Sequence, residues 1–143
     1  MSKLAVVYWS STGNTEAMAN AVAEGIQAAG AECEIFTASD FNAGMIDEYD
    51  AIAFGCPATG TESLDETEFE PMFTECEPKL DGKKIVLFGS YGWGEGEWMR
   101  NWEELCKSNN ANLVAEGLIC NETPDDDALA ECKALGDTLV KAL

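Results

Sequence analysis

The feature that most constrains this chain is an alternation of short apolar runs with stripes of helical spacing. Leu4 to Tyr8, Ala51 to Gly55 and Ile85 to Gly89 are apolar throughout. Such runs read as strands buried on both faces. Cys33 to Phe36 suggests an edge strand, and Leu113 to Ile119 a fifth strand. Between them, one-sided stripes mark helices. Met18, Val22, Gly25, Ile26 and Ala29 form the first, closed by Gly30, a residue that accepts a left-handed cap. Phe69, Met72, Phe73 and Cys76 form the next, with Pro71 tolerable only in its first turn. Trp98, Trp102, Leu105 and Cys106 face one way on another, and Leu129, Cys132, Leu135, Leu139 and Val140 on the last. The order reads as β-α repeated five times, which implies α/β class: a parallel sheet covered on both sides, with right-handed crossovers. The doubly wound strand order 2-1-3-4-5 fits five such units, although four or six strands also fit. Its ligands bind beyond the carboxyl ends of the strands.

Composition narrows the function. The 143 residues suit one domain spanning the whole chain, 1–143. Eight basic and 27 acidic residues give a formal charge of −19. That excludes a sequence-independent nucleic-acid binder and argues against docking on an anionic membrane. There is no His, hence no Ser-His-Asp triad, His proton shuttle or His metal ligand. Any redox or group chemistry then falls to a cofactor. The six cysteines include no C-x-x-C and no metal or cluster spacing. The apolar run near the N-terminus is shorter than a signal-peptide core or a membrane span. Reduced, mostly buried cysteines in a cytoplasmic protein are the expectation.

The loops after the strands carry the candidate site. Ser10, Ser11, Thr12, Gly13, Asn14 and Thr15 place four hydroxyls, an amide and a glycine at a helix start. A helix N-terminus offers free backbone N–H groups and a partial positive charge, so this loop suits a phosphate. One Ser or Thr would suffice for an ordinary cap. It is not a nucleotide-hydrolysing loop, because no Lys or Arg occurs between Lys3 and Lys79. The G-x-G-x-x-G of dinucleotide folds is also missing, which points to a mononucleotide. After the third strand come Cys56, Pro57, Ala58, Thr59, Gly60, Thr61 and Glu62, in themselves a routine loop. After the fourth come Ser90, Tyr91, Gly92, Trp93 and Gly94. Trp93 between two glycines has little local cover and suits a stacking platform for a planar ring.

Together these loops resemble flavodoxin, in its short-chain form. Tyr8 to Glu16, Gly55 to Ala58 with Gly60, Phe88 to Gly94, and Asn121-Glu122 with Pro124-Asp125 carry the resemblance, in order and in register. It covers essentially the whole chain. It implies a flavodoxin-like three-layer sandwich with a five-stranded parallel sheet. It also implies one non-covalent FMN and a low-potential one-electron carrier cycling between neutral semiquinone and hydroquinone. By that likeness Ser10 through Thr15 hold the phosphate and Trp93 stacks on one flavin face. Ala58, Thr59 and Gly60 cover the other face, next to Pro57. Glu62 accepts from flavin N3–H, and the Gly60 carbonyl turns toward N5–H. Ser90, Tyr91 and Gly92 line the pyrimidine and ribose side, Gly94 lets the backbone approach the ligand closely, and Asn121 lies near the same edge. Three residues depart from the family pattern: Thr59 stands where Met is common, Ser11 where Gly is common, and Thr61 follows Gly60 in the switching turn. A β-branched residue resists positive φ, so Thr61 biases that turn toward the carbonyl-in form.

Glu62, Asp65, Glu66, Glu68, Glu70, Glu75 and Glu77 form an acidic stretch without a basic residue, and Glu95, Glu97 and Asp125 to Asp127 add to the same end of the sheet. Most such residues only solubilise the surface. As a rim around the flavin they would also steer basic-patched redox enzymes by weak electrostatic docking to a monomer. The alternative within this fold is an FMN-dependent quinone or disulfide reductase, which needs a substrate pocket over the flavin. A phospho-receiver module would instead need an acidic cluster where Ser10, Ser11 and Thr12 stand.

Overall fold

The computed structural model describes residues 2–59, 63–92 and 94–143. In chain order its elements are β1 (Lys3–Tyr8), α1 (Asn14–Ala28), β2 (Glu32–Thr37), β3 (Ala51–Gly55) and α2 (Phe69–Cys76). There follow β4 (Lys84–Tyr91), α3 (Glu97–Ser108), β5 (Asn112–Leu113), β6 (Leu118–Asn121) and α4 (Asp126–Lys141). All strand pairs are parallel, in the order β2-β1-β3-β4, with β5 and β6 both on the far side of β4. The two-sided apolar runs occupy the middle: Leu4 to Val7, Ala51 to Gly55 and Ile85 to Ser90 are buried. β2 lies at one edge, where Glu32 and Glu34 are exposed.

Two expectations need correction. The fifth position of the sheet is not one strand over 113–119 but two short ones. Val114 still donates to the Ile85 carbonyl at 3.2 Å. Then the Glu103 side chain takes the Gly117 amide at 2.8 Å, so a carboxylate displaces the ladder there. Nor is there an α-helix between β2 and β3. Two 3₁₀ segments, Ala38–Asp40 and Ala43–Glu48, make that connection, so among the described residues four α-helices serve five sheet positions.

The helices cover the sheet in two unlike layers. On one face α1 and α4 pack small aliphatic residues, with Met18, Val22, Ile26, Cys132, Leu135 and Leu139 buried. Their backbones nearly touch: a Cβ added at Gly25 would come within 3.0 Å of Lys133 backbone, and one at Gly136 would meet the Val22 carbonyl. On the other face α2 and α3 meet through rings. Phe69 and Phe73 stack at 5.9 Å, and Trp102 stands edge-on to both at 5.3 and 5.7 Å. Phe54 of β3 meets Phe73 edge-on at 5.1 Å. On α3 the buried stripe is Trp98, Met99, Trp102 and Cys106, whereas Leu105, expected on it, turns outward at 37% exposure. All six cysteines are free, and five are buried.

Candidate functional site

The loops at the carboxyl ends of β1, β3 and β4 converge on one cleft of about 250 Å³. Its wall on the α1 side is Ser11, Thr12 and Asn14. Pro57 and Ala58 come from the loop after β3, and Ser90, Tyr91 and Gly92 from the end of β4.

The α1 wall starts from a left-handed residue. Gly13, at φ 93°, is the cap position of α1 and lets the chain reverse from loop into helix. Ser10 holds that reversal: its Oγ accepts from the amides of Gly13 (3.1 Å) and Glu16 (3.3 Å). The amides of Asn14 and Thr15 have no acceptor within the helix and stand at its positive end. Thr15 itself is buried, and its hydroxyl pairs with the Ser90 hydroxyl at 2.9 Å while accepting from the Ser90 amide at 3.3 Å. Thr15 thus fastens α1 to the end of β4 instead of lining the cleft.

The middle wall is fastened to β4 as well. Ala58 N donates to the Ser90 carbonyl, and Cys56 N to the Phe88 carbonyl, each at 3.0 Å. Trp98 of α3 donates its indole N–H to the Cys56 carbonyl at 3.1 Å. Burial pushes the Cys56 thiol up to about 12, so it stays protonated and serves as packing. Farther along, Thr59 and Ser63 form an isolated antiparallel bridge, Thr59 N to Ser63 O at 2.8 Å and the reverse at 2.9 Å. Their hydroxyls repeat the exchange at 3.0 and 3.2 Å. Gly60, Thr61 and Glu62 fall between them, outside the described residues, as does Trp93. The expected turn bias at Thr61, the Gly60 carbonyl, the Glu62 acceptor and the Trp93 stack therefore lie outside the described residues too.

Of the remaining candidates, Gly94 leads toward α3 with φ 87°. Asn121, at the end of β6, directs its side-chain amide to the Tyr91 carbonyl at 3.4 Å and does not line the cleft. Its neighbour Glu122 does line the cleft and was missed as a site residue. It takes a left-handed backbone, φ 57°, and its amide donates to Tyr91 O at 2.7 Å. Nothing in a Glu marks such a conformation in advance.

The acidic stretch also divides. Asp65 is buried, not part of a solvated rim. Its carboxylate accepts from the Thr67 hydroxyl (2.7 Å) and the amides of Glu68 (2.7 Å) and Phe69 (3.0 Å), which starts α2. Burial alone would raise its pKa. The amide of Phe69, the Thr67 hydroxyl and the amide of Glu68 outweigh that and hold it below the ordinary value. Glu66, Glu68 and Glu70 remain exposed, and Glu68 accepts from the Trp9 indole at 3.1 Å.

The donor set decides what the cleft suits. Among the described residues hydroxyls, a carboxamide and helix-start amides line it beside the Glu122 carboxylate, and no Lys or Arg does. Neutral donors at the positive end of a helix fit a phosphate group without a counter-cation. A flavin mononucleotide brings one.

Comparison with known proteins agrees. The family model described as flavodoxin matches residues 6–136. The flavodoxin of Megasphaera elsdenii is 47% identical over 137 residues, covering 96% of this chain and 98% of that one. The flavodoxin of Clostridium beijerinckii is 44% identical, covering 92% and 94%. The solution structure of the two-electron reduced Megasphaera elsdenii protein superposes with a TM-score of 0.88 over 96% of this chain and 98% of that one.

Proposed function

This chain belongs to the flavodoxin family, the FMN-binding electron carriers without a substrate of their own, and on that footing we propose which of its residues do the carrying. The reductase alternative on this fold is not favoured. Ser10 shapes the phosphate loop. Ser11, Thr12, Asn14 and the free amides at the start of α1 hold the phosphate, with Gly13 supplying the turn. Thr15 and Ser90 lock that loop to β4. Pro57, Ala58, Thr59, Tyr91 and Gly92 shape the wall around the flavin, and Asn121 holds the end of β4 through the Tyr91 carbonyl. Gly60, Glu62, Trp93 and Gly94 keep the roles that family likeness gives them. The observation that carries this assignment is the convergence of the strand-end loops after β1, β3, β4 and β6 on a cleft whose α1 wall is furnished with neutral donors.

FMN supplies one-electron chemistry at its ring system. The chain's part is to bind it, exclude water from one side and set the field around it. Among the described residues no cation lines the cleft, and exposed carboxylates at Glu66, Glu68, Glu70, Glu95 and Glu97 crowd the same end of the sheet. That field opposes added negative charge and holds the potential low. It also favours partners with basic surfaces. Flavodoxins pass electrons to redox partners; we assign this one ferredoxin-type reductases and oxidoreductases, met through weak contacts by a monomer. Among the described residues no helix is long and apolar enough to cross a membrane. We place the protein in the cytoplasm, as one domain over 1–143.

An anaerobic reductive titration followed by visible absorption tests the reading. The expected result is a yellow protein whose long-wavelength band rises with the first electron and falls with the second. Direct bleaching without that band would contradict a one-electron carrier. A colourless protein that takes up no added FMN would overturn the assignment altogether.

A further inference from the structure

Among the described residues Glu122 is the one carboxylate that lines the phosphate-loop cleft, and it stands there against the preference of its own backbone. Left-handed φ is uncommon outside Gly and Asn. The other non-glycine residue with that conformation among the described residues is Asn110, a type that adopts it readily. At Glu122 the conformation is imposed by the amide bond to Tyr91 O and by the β4–β6 pairing of Tyr91 with Asn121 just before it. Glu122 and the phosphate loop line the same cleft of about 250 Å³, and at low salt the Debye length, about 30 Å at 0.01 M, exceeds the span of so small a space. Ser11, Thr12 and Asn14 line the same space, and among the described residues no Lys or Arg shares it to offset the carboxylate.

We propose that Glu122 sets the preference between phosphorylated and unphosphorylated flavin, by opposing the phosphate charge held at the start of α1. The inference rests on the cofactor reading above. A carboxylate within reach of the phosphate weakens the binding of FMN. It leaves riboflavin, which carries no phosphate, nearly untouched. Glu122 is exposed, so solvent screens the repulsion and the effect is modest.

The test titrates apoprotein with FMN and with riboflavin, following quenching of flavin fluorescence, in wild type, E122Q and E32Q. Glu32, on the edge strand β2 at the opposite end of the sheet, controls for loss of a charge anywhere. E122Q should bind FMN about three- to tenfold more tightly than wild type at low salt. Its riboflavin affinity should move less than twofold. E32Q should move neither beyond that. At about 0.5 M salt the FMN advantage of E122Q should largely vanish. Glu122→Asn, which removes the charge and relieves the backbone, should shift FMN in the same direction. An unchanged or weaker FMN affinity in both variants overturns the proposal. So does an equal gain in E32Q, or an equal gain for riboflavin. If wild type binds neither flavin, the cofactor reading falls with it; if it binds FMN and the variants do not differ, only this proposal falls.

Discussion

The two helical layers cover the same sheet with opposite materials. α1 and α4 meet almost backbone to backbone, because Gly25 and Gly136 leave no side chain between them. α2 and α3 never come so close, and Phe69, Phe73 and Trp102 fill the gap. The glycine layer is intolerant of added volume and the ring layer of removed volume. Each layer also positions a different part of the site. α1 carries the phosphate loop, so its close seating on α4 fixes where the free amides lie. α3 holds the loop after β3 through the bond from Trp98 to Cys56 O.

The sharpest test of this contrast is deletion in the ring layer. Phe73→Ala should cost about 3–5 kcal/mol in urea or thermal unfolding, since the hole between Phe54, Phe69 and Trp102 has nothing to fill it. In the other layer, adding a single methyl should be costly. Gly136→Ala should destabilise by about 1–3 kcal/mol, because the new Cβ meets the Val22 carbonyl and one helix must shift. A neutral Gly136→Ala would mean the helices can separate freely, and the contrast would fail.

Smaller changes separate the layers from the site. Thr15→Val should cost about 1–2 kcal/mol by stranding the buried Ser90 hydroxyl, and it should weaken FMN binding by loosening α1 from β4. On the ring side, Asp65→Asn should cost about 1 kcal/mol at neutral pH by weakening the cap on α2. The folded state holds Asp65 below its ordinary pKa of 3.8. Its contribution is therefore complete above the unfolded value and lost as pH falls below it through the folded one. Wild type and variant should differ in stability at pH 7 and converge toward pH 2; a constant gap would show that the charge is irrelevant.

Much of this was legible in the chain itself. Runs such as Leu4 to Val7 have no polar face and so can only be central strands, and the density of hydroxyls from Ser10 to Thr15 exceeds what a cap needs. What escaped notice depends on contacts remote in sequence. Glu103 reaches the Gly117 amide and splits the last strand. Asp65 looks like one more surface acid until the turn folds three donors onto it. Thr15 reads as one more hydroxyl of the loop until Ser90, 75 residues away, pairs with it. Glu122 enters the cleft only because β6 pairs with β4 and turns its backbone left-handed.

The bridge between Thr59 and Ser63 has a consequence for timing. Four hydrogen bonds fasten these two residues to each other, and only three residues separate them. The bridge is already made before a partner arrives, so it adds no step of its own to an encounter. Encounter with a partner present at about 1 μM takes about 0.1–10 s at ordinary association rates. Collision in solution, at which the bridge between Thr59 and Ser63 stands ready, therefore sets the pace of this carrier.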